Sequence, residues 1–265
     1  MPSNATRTFI FHQVYDMAAV VEECIDNAGS FGEVDWKNPE VLNCLIDFSK
    51  VSLLHHYVYS MIGLEHRHDY RKNSDLYEES EEMRAEVHGL LEAYGISVQP
   101  YEDYVDSLAE AQENDAWFYH WFLKHETMFE ELWEKMTQEV FHLLFANRAF
   151  LLRFNKALAM YLAEGGVAIP PSFRGGRGVL KRQSHFPVWL RKAVFYRDQG
   201  RCVLCQRDLS GLISLGFEAH LDHIVPLQMW GSNDPCNIQL LCGTCNRRKS
   251  GKVATTATRY QPWWD

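Results

Sequence analysis

The chain has 265 residues, 46% apolar and 13% aromatic, with no repeat at a fixed period and no low-complexity tract. That excludes a disordered, fibrous or solenoid protein and leaves one large or two ordinary globular domains. The net charge of −9 hides an asymmetry, because residues 1–170 hold 12 Lys+Arg and 29 Asp+Glu (−17) and residues 171–265 hold 14 and 6 (+8). The basic part suits a polyanion that the acidic part would repel.

The opening stretch, MPSNATRTFIFHQVYD, lacks the basic flank and long apolar run of a secretory signal. The most apolar stretch, Phe141 to Leu162, is broken by His142, Asn147, Arg148, Arg153, Asn155 and Lys156. A cytoplasmic protein without a membrane segment is expected.

From Phe9 to about Gly165 the apolar spacing is helical, which predicts roughly six helices and an all-α bundle. One runs from Asn38 as N-cap, with Pro39 at the first position, to a stop near Gly63, and another from Asn73 or Ser74 to Gly95. Others are expected at about 9–28, 100–112, 115–135 and 138–164. The cluster Glu65, His66, His68 and Asp69 falls just past Gly63 and reads as a polar loop, with a metal site the lesser alternative. The segment carrying Trp117, Phe118, Tyr119, Trp121, Phe122, Phe129 and Trp133 reads as core, with a homodimer or protein-partner interface second. A basic Gly/Pro linker follows at 166–184, whose Arg174, Arg177, Lys181 and Arg182 are candidates for a phosphate backbone. A helix at about 187–200 then leads into short strands and turns.

Five of the seven cysteines lie in this C-terminal part. Cys202/Cys205 and Cys242/Cys245 form two Cys-x-x-Cys pairs separated by 36 residues, the spacing of two knuckles closing a tetrahedral Zn2+ site. With four sulfur ligands such a metal has no open position, so its role is structural and the chemistry must lie elsewhere. Cys24 and Cys44 read as small buried hydrophobes. Cys236 is a bystander whose position near a knuckle would leave it open to oxidation.

Between the pairs stands HLDHIVPLQMWGSNDPCNIQLLC, and after them NRRKSGK. Here the sequence resembles the HNH endonuclease family, over about residues 185–252 and including the lead-in LRKAVFYRDQGRC. The resemblance implies a small ββα-metal domain at 185–265 behind the helical domain at 1–165, an α+β chain of two domains. It implies Asp222 as ligand of a catalytic Mg2+ or Mn2+, His223 as general base, and Asn237 as the residue that braces the loop between the strands. Asn246 stands at the family's last His position as second metal ligand, and two oxygen donors favour Mg2+ or Mn2+ over zinc. Arg247, Arg248, Lys249 and Lys252 are expected at phosphates, and His220, two residues before Asp222, shares its strand face.

The function so implied is hydrolysis of DNA to 5′-phosphate and 3′-hydroxyl ends, in a setting such as bacterial defence, restriction or a mobile element. A non-catalytic zinc-ribbon DNA-binding protein and an RNA-directed nuclease are the alternatives. Attraction between the −17 and +8 parts further suggests that the acidic domain shields the basic one, so that removing residues 1–165 would raise cutting. The terminal Trp263 and Trp264 are expected to dock on the zinc domain or stack on bases.

Overall fold

The computed structural model describes residues 9–26, 30–108, 116–183, 185–211 and 219–260. Trp263 and Trp264 lie outside them. The helices are α1 (Val14–Cys24), α2 (Pro39–Ile46), α3 (Leu53–Lys72), α4 (Ser74–Glu79), α5 (Glu81–Ala93), α6 (Tyr101–Asp106) and α7 (Trp117–Lys124). They continue with α8 (Glu126–Ala146), α9 (Arg148–Ala163), α10 (Val188–Arg197) and α11 (Gly243–Lys249), and the strands are β1 (Ala219–His223) and β2 (Ile238–Cys242). No helix among the described residues is long and apolar enough to cross a membrane.

Local chemistry explains breaks that periodicity alone does not predict. The expected 38–63 helix is two. Asn38 caps α2 through Glu40 N, and the chain leaves the helix at Asp47 and re-enters it at Leu53. Gly63 does not stop α3, which runs on to Lys72 and carries Glu65, His66, His68 and Asp69. A Cβ at Gly63 would sit 3.2 Å from the Trp133 ring, so glycine here permits close approach, not a turn. Ser80 splits the 73–95 helix by capping α5 at Met83 N, and Asn147 starts α9 by capping Phe150 N.

The chain forms two compact units, and their boundaries are not those expected at 165 and 185. The first comprises Met1–Val21 with Val58–Phe141. Phe118, Trp121, Phe122, Phe129 and Trp133 are fully buried, so they are core, whereas Trp117 and Tyr119 are half-buried. The Trp133 indole donates to His66 Nδ1 at 2.7 Å, and burial lowers the His66 pKa to about 4. His66 is thus a neutral, structural acceptor.

The second unit comprises Glu22–Tyr57 with His142–Asp265. The two strands pair antiparallel, with Asp222 opposite Gln239 and His223 opposite Ile238. Leu190 and Val194 of α10, Val203, and Ile238, Leu240 and Leu241 of β2 form the small core around Cys202, Cys242 and Cys245. The buried Asp198 at the end of α10 pairs with Arg197 at 3.0 Å and accepts from Leu240 N at 2.8 Å. Helix α9 joins this assembly: Arg148 stands 3.9 Å from Asp198 with its guanidinium over Tyr260, and Asn155 Nδ2 donates to Cys236 O at 3.1 Å.

Residues 45–53 also belong to it. Asp234, fully buried, accepts from Leu53 N at 2.6 Å and from Cys236 N at 2.8 Å. Cys236 is fully buried against Ser52 Oγ at 3.5 Å, outside the sulfur cluster as a bystander and shielded from oxidants. Burial raises the Asp234 pKa to about 6 against the backbone donors that lower it. An acid raised in the fold contributes stability that is full below its unfolded value of about 3.9 and is lost as pH rises through about 6. Asp234→Asn should remove that slope between about pH 4 and pH 6. It should also cost about 1–3 kcal/mol, because one of the two N–H donors loses its acceptor. Urea unfolding of both proteins at the two pH values measures this; an equal slope in the variant would show that Asp234 does not titrate in this range.

Candidate functional site

The two cysteine pairs converge as their spacing predicts. The sulfurs of Cys202, Cys205, Cys242 and Cys245 all lie within 4.8 Å of one another. Four sulfurs bonded tetrahedrally at about 2.3 Å from one ion would lie about 3.8 Å apart, a small contraction from this cluster, so the donor set fits a zinc. The local backbone makes each knuckle. The first closes with Gln206 N on Cys202 O at 2.8 Å and a left-handed Gln206, and in the second Cys242 ends β2 and caps α11 through Cys245 N. Burial pushes the thiols of Cys202 and Cys245 up, whereas hydrogen bonds to Cys242 outweigh its burial and bring it to about 7. Ionisation of Cys202 and Cys245 therefore needs a cation among the sulfurs. Among the described residues this is the one cluster of three or more His, Cys, Asp or Glu close enough to hold a metal, and Glu65, His66, His68 and Asp69 form none.

A cleft of about 630 Å³ brings together Asp222, His223 and Asn246, with Lys181 and Arg182 among its lining residues. Asp222 and His223 end β1, and Asn246 comes from α11, one residue past a knuckle sulfur. The four-cysteine cluster thereby anchors the helix that carries Asn246 into the cleft. His220 faces a neighbouring recess of about 340 Å³, which shares Arg182 and Asn246 with the first.

Asn237 is fully buried and spans the loop after β1. Its Oδ1 accepts from Val225 N at 2.8 Å, and its Nδ2 donates to Val225 O and Ser232 O, each at 2.9 Å. Its backbone carbonyl accepts from Ile224 N at 2.6 Å. Gly231 completes the turn, since a Cβ there would collide with Val225 O. These bonds hold the residues directly after His223.

His223 is itself buried, with Nε2 at 3.2 Å from Asn233 Oδ1. Burial lowers its pKa to about 4, with Arg182 and Lys249 adding in the same direction against Asn233 and Asp222. The ring is therefore neutral near pH 7, as a proton acceptor must be.

Lys249 departs from expectation. It was placed with its neighbours at phosphates, yet it is 4% exposed and turned inward. Its Nζ donates to His223 O at 2.6 Å and lies 2.8 Å from Asp222 Oδ2, paired by charge but out of line for a hydrogen bond. Of three consecutive basic residues on one helix turn, one must face the sheet, and a carboxylate at the end of β1 makes that tolerable. Arg247, Arg248 and Lys252 are exposed, as are Arg174, Arg177, Lys181 and Arg182.

The segment expected to be a linker is instead folded beside the cleft. Arg174 bridges to Leu180, Gly175 N donates to Val179 O at 2.7 Å, and Leu180 is buried. Lys181 Nζ and Arg174 Nε are engaged by Ser172 O and Ile169 O at 2.7 and 2.9 Å. Asn233 and Asp234 escape a reading of the sequence. NDP marks only a turn, and their partners at Ile46, Leu53 and Lys181 are far away in sequence.

No curated protein and no solved structure is found to match the chain. The N-terminal part matches no family model. Residues 202–252, which carry the four clustered cysteines together with Asp222, His223, Asn237 and Asn246, match the model of the HNH endonuclease family, and this part of the chain is an HNH domain.

Proposed function

We propose that the protein is a metal-dependent endonuclease that hydrolyses DNA phosphodiester bonds in the cleft of Asp222, His223 and Asn246. The observation that carries this reading is the convergence of a histidine, a carboxylate and a carboxamide beside Lys181 and Arg182, within an HNH domain. His223 takes a proton from the attacking water. Asp222 and Asn246 offer the hard oxygen donors that suit Mg2+ or Mn2+. Such a cation, when bound, would neutralise charge on the phosphate and the leaving oxygen. The sulfur cluster is the structural zinc site and holds α11 in place. Arg182 and Lys181 at the cleft, with exposed Arg247, Arg248, Lys252, Arg174 and Arg177, hold the phosphate backbone without reading sequence.

The test is nicking of supercoiled plasmid by the full chain with Mg2+ or Mn2+, and with EDTA. Cutting is expected with either metal and not with the chelator, and His223→Ala is expected to reduce it by about 10²–10⁴-fold with fold and zinc content unchanged. Undiminished cutting by that variant would end the reading. Salt-sensitive DNA binding without scission under either metal would assign a binding module instead, and cleavage of RNA but not DNA would move the substrate.

A further inference from the structure

We infer that Asn233 is the positioning residue of the histidine and determines which ring nitrogen takes the proton. The inference rests on the reading of His223 as the base. Asn233 is fully buried, and its own backbone N–H is held by Leu45 O at 3.0 Å. Its Nδ2 donates to two carbonyl oxygens, Ile46 O and Lys181 O, each at 2.9 Å. An amide nitrogen has two hydrogens and no lone pair to offer, so both are used. Turning the amide over would place Oδ1 against those two carbonyls, three acceptors with no proton among them. Only one orientation satisfies the group, and in it Oδ1 faces His223 Nε2 at 3.2 Å.

An oxygen that can only accept requires hydrogen on the nitrogen it meets. A His223 ring that serves as the base therefore carries its one proton on Nε2, and its lone pair is on Nδ1. In the reaction the water O–H bond breaks toward Nδ1 while the water oxygen bonds to phosphorus. The bond from phosphorus to the leaving oxygen breaks with its electron pair. Solvent then protonates that oxygen and takes the proton from Nδ1.

Two of the groups that orient the amide lie outside the residues that match the HNH model: Ile46, after α2, and Lys181, in the folded segment beside the cleft. The tautomer of the nuclease histidine is thus set by parts of the chain that the family pattern does not contain. Nothing local to HLDHIVPL does it.

The experiment is a two-bond 1H–15N spectrum of the imidazole rings in the full, zinc-loaded chain near neutral pH, with His223 assigned by its loss in His223→Gln. A ring protonated on Nε2 is expected. Asn233→Leu should shift His223 toward a mixture of tautomers. It should also lower the turnover rate for plasmid nicking about 10- to 100-fold, with the half-saturating DNA concentration little changed. An Nδ1-protonated ring in the unaltered chain overturns the inference whether or not any variant folds. A folded Asn233→Leu with unchanged tautomer and turnover overturns it as well. The tautomer is read without DNA, so it stands apart from a failure of His223→Ala to lose activity, which would sink the nuclease reading alone.

Discussion

Cys245→Ser is expected to abolish cutting and to loosen the whole HNH domain, and stripping the metal with a strong chelator should do the same. Structural zinc in small domains contributes on the order of 10–16 kcal/mol, which is more than most domains have to spare. Three of the four cysteines are buried members of the domain's own core. Without a cation, that core holds thiols that crowd one another within 4.8 Å. Cys242 both ends β2 and caps α11, and Asn246 directly follows Cys245, so a displaced knuckle also displaces Asn246 from the cleft. Metal content, thermal unfolding and plasmid nicking on one sample decide the matter. A metal-free protein that melts and cuts like the loaded one would show that the cluster is not structural.

Deleting residues 1–165 is expected to give an unfolded, inactive fragment and not the more active nuclease that charge shielding suggests. The deletion removes Leu53 N from Asp234, Ser52 from Cys236, Leu45 O and Ile46 O from Asn233, and Asn155 from Cys236 O. It also takes Arg148 from the buried Asp198. Each lost partner of a buried polar group costs about 1–3 kcal/mol. Several together exceed the whole stability of a typical domain, about 5–15 kcal/mol. Circular dichroism and nicking by the 166–265 fragment at low salt test this. A folded fragment that cuts faster than the full chain would restore the shielding idea and show that residues 22–57 and 142–165 are dispensable. A gentler variant, Asn155→Leu, keeps the chain intact and should destabilise by about 1–3 kcal/mol, measurable in urea.

Short-range chemistry was readable in advance. Two Cys-x-x-Cys turns aim their sulfurs by local backbone geometry, and Asp222-His223, Asn237 and Asn246 fall at offsets that one hairpin and one helix turn fix. The brace that Asn237 makes across the loop is also local, its side chain bonding only to residues within 12 positions. Helix limits were less readable. Apolar spacing continues through Asp47–Ser52 and Ser80, where a cap or a break competes with propensity and only the packing decides the winner. Gly63 shows the converse, a residue that resembles a stop but serves the close approach of Trp133.

The four-cysteine cluster and the helical character of what precedes it were legible from residue type at short, fixed spacings. The HNH domain and the residues that meet in its cleft were legible through the family resemblance that its motifs carry. Long-range packing alone puts residues 22–57 and α9 in one compact unit with the HNH domain, Lys249 against Asp222, and Asn233 against His223. Those pairings depend on buried polar groups finding distant partners, 187 residues away for Asn233 and Ile46 and 181 for Asp234 and Leu53. No local periodicity encodes such a choice. It is made by the cost of leaving a buried donor or acceptor unpaired, which exists only once the chain has folded.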